Sequence, residues 1–284
     1  MKYSFMSFST PKLSLAGMLQ AAERYGYDGI EPRLDAGHAH GIEVNATPEQ
    51  RAAIRQLFDA AEIRLACLAT SLQYADPGLT RDVLRQTHER IDLAGDIGAP
   101  TLRVFGGKIP HGVSREQASD LLVESLSAVA GHAAERGVTL CLETHDDWCN
   151  PRHVTTVAER VNHPAIAVNW DVMHPVRTKQ ATINESFELL KPWIRHIHVH
   201  DGVGESVQLV PIGEGDYNHR RVIELLMTID FEGYVSGEWI DWEPYHVHLP
   251  RELATLKRYE AELRSTTGNR IWMEHEPNTE KMLG

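Results

Sequence analysis

The chain repeats one pattern of hydrophobic and polar residues along most of its length. A short apolar run, typical of a β-strand, is followed by a stretch whose apolar residues recur every three or four positions, as on one face of an α-helix. In the first unit, residues 3–8 form the apolar run, and Leu15, Met18, Leu19 and Ala22 mark the helix face. Later apolar runs lie at residues 29–31, 64–70, 101–105, 138–143, 165–171, 194–200 and 234–238.

Several helix boundaries have recognisable signals. The tetrad Thr47-Pro48-Glu49-Gln50 combines an N-cap threonine, a proline in the first turn and a glutamine that reaches back to the cap, so it predicts a helix start. The tetrad Ser114-Arg115-Glu116-Gln117 opens a later helix, which we expect to end at Gly137. Helical stretches therefore separate the strands throughout the chain.

Roughly eight alternations of strand and helix predict parallel strands that close into a single (β/α)8 TIM barrel. The length of 284 residues suits this fold, for which about 250 residues are usual. Because no linker or change of composition divides the chain, we expect one catalytic domain at residues 1–265 and a short C-terminal tail at residues 266–284. A doubly wound open sheet is the alternative for the same alternation.

Composition and charge narrow the class of protein. The chain has 40 acidic and 28 basic residues and a formal net charge of −12, so we expect no nucleic-acid partner, because phosphate backbones are bound by clustered lysine and arginine. The three cysteines form no close pair and indicate neither a disulfide framework nor a thiolate zinc site. Without a signal peptide or a run long enough to span a membrane, we expect no membrane partner and a cytoplasmic location.

The run His196-Ile197-His198-Val199-His200-Asp201 stands out because imidazole and apolar side chains alternate in it. The three histidines of this run share one face of the predicted strand. Neutral imidazole is a common metal ligand, although a single strand histidine is also found as a hydrogen-bonded core residue. The run therefore suggests a strand that delivers a metal ligand near its end.

Three other predicted strands end in a carboxylate. They run into Glu143, Asp171 and Glu238, at places equivalent to His198. One such carboxylate is often a helix cap or a solvated loop charge. In a barrel, however, the carboxyl ends of the strands meet at one face, and three carboxylates with one imidazole suit Mn²⁺ first, with Mg²⁺, Co²⁺ or Zn²⁺ as alternatives. We therefore predict a divalent metal ion as cofactor.

The order of these motifs resembles that of the xylose-isomerase-like sugar isomerase/epimerase superfamily, over nearly the whole chain. The resemblance is carried by Gly29-Ile30-Glu31, Leu142-Glu143, Trp170-Asp171-Val172-Met173-His174, the histidine run 196–201, Pro211-Ile212-Gly213-Glu214-Gly215 and Gly237-Glu238. It implies a TIM barrel whose four metal ligands are Glu143, Asp171, His198 and Glu238. It also matches His174 to a histidine that contacts the substrate in that superfamily.

The resemblance implies a metal-dependent isomerase or epimerase that moves a proton beside a carbonyl of a small sugar or polyol. In the ketose 3-epimerases of this superfamily the two metal-binding glutamates exchange roles as base and acid, which makes Glu143 and Glu238 the catalytic residues here. Cys149 and Gly204 stand where those epimerases have a substrate-binding glutamate and arginine, so we expect a different substrate. A dehydratase similar to inosose dehydratase is the main alternative, followed by a phosphodiester-cleaving endonuclease and a non-catalytic binding barrel.

Further residues are candidates for substrate binding. Glu31 ends a strand, His145 follows Glu143, His200 shares the face of His198, and Lys108 follows the sharp turn at residues 106–107. Each also has an ordinary explanation as a paired or solvated polar residue. The tail includes Trp272, which would dock on a neighbouring subunit or on its own barrel, and we expect a homo-oligomer, either a dimer or a tetramer.

Overall fold

The structure is a computed structural model that describes residues 1–204 and 208–274, with side chains described as far as residue 265. Within these ranges it has eleven strands and nine α-helices. The strands are β1 (Lys2–Met6), β2 (Gly29–Glu31), β3 (Arg64–Leu65), β4 (Leu68–Gln73), β5 (Thr101–Phe105), β6 (Thr139–Glu143), β7 (Ile166–Asp171), β8 (Ile194–Val199), β9 (Asp201–Val203), β10 (Gln208–Val210) and β11 (Tyr234–Gly237). The helices are α1 (Leu15–Tyr25), α2 (Pro48–Ala60), α3 (Thr80–Ile97), α4 (Arg115–Glu135), α5 (Pro151–Val161), α6 (Met173–Arg177), α7 (Ile183–Leu190), α8 (His219–Met227) and α9 (Tyr245–Glu274).

Nine of the strands form one parallel sheet in the order β3-β2-β1-β11-β8-β7-β6-β5-β4. Its two edges, β3 and β4, are consecutive pieces of the run predicted as one strand at residues 64–70. Backbone hydrogen bonds from Ala69 to Pro32 (N to O, 3.0 Å) and from Leu34 to Ala69 (N to O, 2.9 Å) link β4 to the segment after β2. The sheet therefore closes on itself, which confirms the TIM barrel and makes the open-sheet alternative wrong.

The helix starts depend on side chains that satisfy free backbone amides. Thr47 and Gln50 bond reciprocally at the start of α2, and Ser114 and Gln117 do the same at the start of α4. Gly98 ends α3 in the left-handed conformation, at φ 81°, which glycine adopts without steric cost. The capping signals in the sequence therefore gave correct helix starts.

Close packing at the carboxyl ends of the strands fixes the loops that surround the barrel mouth. The buried indole of Trp148 lies so close to Gly106 that a Cβ atom there would be 2.2 Å from the ring, and its Nε1 donates to Gly107 O at 2.9 Å. This contact holds the loop after β6 against the loop after β5. Trp239 covers Gly237 in the same way, so the segment after β11 is also anchored at the mouth.

The C-terminal part of the chain contains α9, which runs from the barrel into the tail as far as Glu274. Residues 275–284, and the side chain of Trp272, lie outside what the structure describes, and the division of the chain at residue 265 stays a prediction. Among the described residues, no helix has the length and apolarity needed to cross a membrane. The antiparallel pair of β9 and β10, which follows β8, was not predicted.

Candidate active site

Four strand ends converge at the barrel mouth, as the sequence predicted. Glu143 ends β6, Asp171 ends β7, His198 lies in β8 next to Asp171, and Glu238 follows β11. One potential ligand atom from each of the four lies within 4.8 Å of the others. Their exposed fractions are 1%, 0%, 0% and 8%, so these four residues form a buried cluster, which we call the carboxylate cluster.

Glu31 fixes the orientation of the His198 imidazole. Its carboxylate Oε1 lies 3.0 Å from His198 Nε2, while Nδ1 lies 2.9 Å from Glu143 Oε1 and 3.2 Å from Glu238 Oε2. Burial alone would raise the pKa of Glu31, but His196 and His198 outweigh it and hold that pKa well below its usual value. Because an ionised carboxylate only accepts, His198 Nε2 donates to Glu31. In the neutral ring that binds a cation, Nδ1 would then be the unprotonated nitrogen, and it faces the cluster as in metal-binding histidines.

The cluster carries more negative charge than its protein partners neutralise. Together with Glu31 it contains four buried carboxylates, and in the part of the chain that the structure describes Arg103 is the one arginine or lysine within ion-pair distance of any of them. Burial lowers the pKa of His198, but Glu31, Glu143 and Glu238 outweigh it and raise that pKa well above its usual value. The site therefore attracts positive charge.

The residues present fit a divalent cation. Bonds of about 2.0–2.2 Å place ligands on opposite sides of a cation about 4 Å apart, which agrees with donor atoms that lie within 4.8 Å of each other. Glu143 Oε2 is buried without a hydrogen-bond donor, although Arg103 Nε lies 3.2 Å away in ion-pair contact. A buried oxygen of this kind normally has a partner, and a cation would provide one.

A cleft of about 310 Å³ opens beside the cluster. It is lined by His145, Met173, His174, Arg177, His200, Leu209, Glu238 and Ile240. Glu238 is thus the cluster residue that faces the cleft, and its exposed fraction is the largest of the four. Burial would raise the pKa of Glu238, but His198, together with His200 and Arg103, lowers it to about 2. The carboxylate is therefore ionised and accessible to a bound molecule.

Three imidazoles form one wall of this cleft. The rings of His145 and His174 meet edge to face, with centroids 4.4 Å apart, and His200 Nε2 lies 3.0 Å from Asp171 Oδ2. Burial lowers the pKa of His174, whereas the contact with Asp146 and the nearby carboxylates overcome burial and raise the pKa of His145. Neighbouring imidazoles thus have opposite tendencies to hold a proton.

The remaining predicted site residues lie elsewhere. Glu31 is fully buried beneath the cluster, and its carboxylate is hydrogen-bonded to His196 and His198. The structure therefore does not place Glu31 in the cleft as a substrate-binding residue. Glu31 does not pair with Arg33 either. Lys108 is exposed on the loop after β5, near enough to Asp146 to help lower the pKa of that carboxyl. It is not among the residues that line the cleft.

Sequence reasoning missed three polar residues at this site, two whose side chains contact the cluster and one in the cleft. Arg103 lies in the middle of β5 and is 1% exposed, the Asn169 amide lies 3.1 Å from His198 Nδ1, and Arg177 lines the cleft. A charged residue inside a short apolar strand was the available signal for Arg103, because barrel strands are buried on both faces. The sequence offers no comparable signal for Arg177.

A larger cavity of about 470 Å³ lies on the other side of the segment after β11. Glu238 and Ile240 line the cleft, whereas Trp239 and Asp241 line this second cavity. The alternation follows from an extended backbone, in which successive side chains point in opposite directions. Because none of the four cluster residues lines the larger cavity, size alone does not identify the candidate active site.

Comparisons with known proteins identify the family and the fold. A family model described as xylose isomerase-like TIM barrel matches residues 19–259. The chain is 25% identical over 271 residues to 3-dehydroshikimate dehydratase from Bacillus anthracis, which covers 84% of this chain and 91% of that protein. It is 23% identical over 273 residues to fructoselysine 3-epimerase from Shigella flexneri, with coverages of 92% and 98%. A solved xylose isomerase-like TIM barrel protein from Mycobacterium smegmatis, in complex with magnesium, has a TM-score of 0.70 at 17% identity and coverages of 92% and 97%.

Proposed function

This chain belongs to the xylose isomerase-like TIM barrel family, and from that premise we propose that it is a divalent-metal-dependent isomerase or epimerase. It acts on a small hydroxycarbonyl compound such as a sugar or a related polyol and moves the proton on the carbon beside the carbonyl. The observation that carries this proposal is the convergence of Glu143, Asp171, His198 and Glu238 at the mouth of the barrel, with Glu238 facing a cleft.

Each residue of the cluster has a role in this proposal. Glu143, Asp171, His198 and Glu238 would hold the cation, and Glu31 keeps the His198 imidazole in the orientation that directs Nδ1 inward. When bound, the cation would polarise the substrate carbonyl and so acidify the adjacent C–H bond. Glu238, ionised and facing the cleft, exchanges a proton with that carbon, and Glu143 is the second carboxylate that takes part in the exchange.

A dehydratase is the second candidate, and the position of Glu143 favours it. Arg103 holds Glu143 in ion-pair contact, and Glu238 is the one carboxylate among the described residues that line the cleft. An elimination needs one base and an acid that protonates the departing hydroxyl. His145 or His174 would be that acid, since both imidazoles face the same cleft as Glu238. One relative of this chain is itself a dehydratase.

We propose Mn²⁺ as the cofactor, with Mg²⁺, Co²⁺ and Zn²⁺ as alternatives, because three carboxylates and one imidazole form a mostly oxygen donor set. Removal of metal with a chelator should abolish activity, and addition of each ion in turn should rank the metals. A small-molecule substrate agrees with the size of the cleft, and the net charge of −12 opposes nucleic-acid binding. A dimer or tetramer and a cytoplasmic location stay predictions.

The test uses the Mn²⁺-loaded protein, a panel of ketoses and keto-polyols, and D₂O as solvent. Solvent deuterium in a product isomeric with the substrate supports the isomerase or epimerase, whereas loss of water supports the dehydratase. Glu238→Gln should abolish proton exchange with the fold intact. Glu252→Gln, which changes a buried carboxylate in α9 that accepts from Ile212 N, is the control and should remain active. Full activity of Glu238→Gln would remove Glu238 from the mechanism.

A further inference from the structure

The guanidinium of Arg177 is a cation in the cleft that has few protein partners. Arg177 ends α6 and lines the cleft together with Glu238 and three histidines. Its Nη2 donates to His174 Nδ1 at 3.2 Å, and its Nε is buried without a hydrogen-bond partner. A guanidinium has five N–H donors, so most of its capacity to bind an acceptor is unused by the described protein atoms.

Three other arginines near the barrel mouth are in contact with carboxylates. Arg103 contacts Glu143, Arg90 bonds to Asp35, and Arg251 bonds to Glu243 and Glu252. Among the residues that the structure describes, no carboxylate lies within ion-pair distance of Arg177. A cation that faces a cleft without a counter-charge is placed to bind an anion, and the planar fork of arginine matches carboxylate and phosphate oxygens.

The position of Arg177 relative to the carboxylate cluster limits what this anion is. His174 lies between them, since its Nδ1 accepts from Arg177 and its Nε2 lies 3.7 Å from Asp171 Oδ2. One imidazole ring therefore separates the free guanidinium from a residue of the cluster. A single small molecule that placed a carbonyl at the cluster would reach Arg177 with a group a few bonds further along its chain.

We propose that Arg177 binds a carboxylate or phosphate group of the substrate, so that the protein acts on an anionic hydroxycarbonyl compound and discriminates against neutral free sugars. This inference rests on the proposed function, because it takes the carbonyl to lie at the carboxylate cluster. Arg177 also orients His174 in this arrangement. A guanidinium only donates, so Nδ1 of His174 accepts and Nε2 carries the proton toward Asp171.

The experiment measures binding of matched pairs of hydroxamates, which chelate a divalent cation through two oxygens, to the Mn²⁺-loaded protein by calorimetry. The phosphate pair is 2-phosphoglycolohydroxamate and glycolohydroxamate. The carboxylate pair is N-hydroxysuccinamate and butyrohydroxamate. Because a hydrogen bond between charged groups is stronger than one between neutral groups, the anionic member of at least one pair should bind about 10-fold to 100-fold more tightly. The pair that shows this preference identifies the anion.

Substitution then assigns the preference to one side chain. Arg177→Met should remove the difference within the pair and leave binding of the neutral hydroxamate nearly unchanged, and Arg177→Lys should retain part of the difference. Arg24→Met, which changes an exposed arginine of α1, should behave like the unsubstituted protein. Equal affinities within both pairs, or an unchanged preference in Arg177→Met, would overturn the inference. Failure of all four hydroxamates to bind would instead overturn the metal site of the proposed function, and the inference would fall with it.

Discussion

Replacement of Glu31 by glutamine tests how the candidate metal site is held together. Glu31 accepts from two imidazoles at once, from His196 Nε2 at 2.7 Å and from His198 Nε2 at 3.0 Å. Glutamine has nearly the same shape but offers one acceptor and one donor at these positions. One of the two histidines must therefore present an unprotonated nitrogen to the new amide.

Either choice has a cost that follows from the contacts. If His198 gives up the proton on Nε2, the neutral ring carries it on Nδ1, which then cannot bind a cation. If His196 gives it up, the proton moves to His196 Nδ1, which is buried without a partner. Removal of such an outer partner of a metal ligand typically weakens metal binding 10-fold to 100-fold, or about 1.4–2.7 kcal/mol. We expect a loss of this size for Mn²⁺.

The assay is calorimetric titration of Mn²⁺ into metal-stripped Glu31→Gln protein at neutral pH, with the unsubstituted protein in parallel. Glu252→Gln is the matched control, because it neutralises a carboxylate that is also fully buried but lies in α9. The control should bind Mn²⁺ normally. An affinity of Glu31→Gln within twofold of the unsubstituted protein would show that Glu31 does not orient His198, and the reasoning about the tautomer would be wrong.

Two further predictions concern stability. The buried His248 donates from Nδ1 to Glu243 O at 2.8 Å, and burial lowers its pKa to about 4. The unfolded chain therefore takes up a proton on this histidine near pH 6.5, whereas the folded protein takes it up near pH 4. The contribution of His248 to stability should be complete above pH 6.5, and the free energy of unfolding should fall by on the order of 2–3 kcal/mol toward pH 4. Urea unfolding across this range should show a smaller fall for His248→Gln, and an equal fall would exclude His248 as a source. The Asp201 carboxylate accepts from the amides of Gly202, Gly213 and Gly215, so Asp201→Asn should lower the free energy of urea unfolding by about 2–3 kcal/mol. The control Asp230→Asn, at an exposed carboxylate, should change this free energy little. A loss below 0.5 kcal/mol in Asp201→Asn would contradict the assigned role.

The barrel and the convergence of the four cluster residues were predictable because both follow from local pattern and topology. The alternation of strands and helices implied parallel strands, and parallel strands in a closed barrel bring their carboxyl ends to one face. Glu143, Asp171 and Glu238 each stand at the end of an apolar run, and His198 is set apart by the alternation around it. None of these inferences needs a contact between two particular side chains.

The surroundings of the cluster were not predictable in the same way, because they depend on contacts between distant parts of the chain. The Glu31 carboxylate meets His196 and His198, which are 165 and 167 residues away along the chain. In sequence, Arg33 was a nearer partner for Glu31, but its guanidinium instead bonds to Leu34 O and Ser71 Oγ. The split of the predicted strand at residues 64–70 had a similar cause, since no turn residue marks the point where the pairing changes from β2 to β5.

The two glutamates of the cluster are unequal in this fold, and the difference bears on the reaction. If both glutamates exchange protons with the substrate, Glu143 must reach the reacting carbon. Arg103, however, lies against Glu143 Oε2, and Glu143 does not line the cleft. A mechanism with one carboxylate base and an imidazole acid needs no such rearrangement, because Glu238, His145 and His174 already face the cleft together. The contact between Arg103 and Glu143 is therefore the observation that favours the dehydratase as the second candidate function.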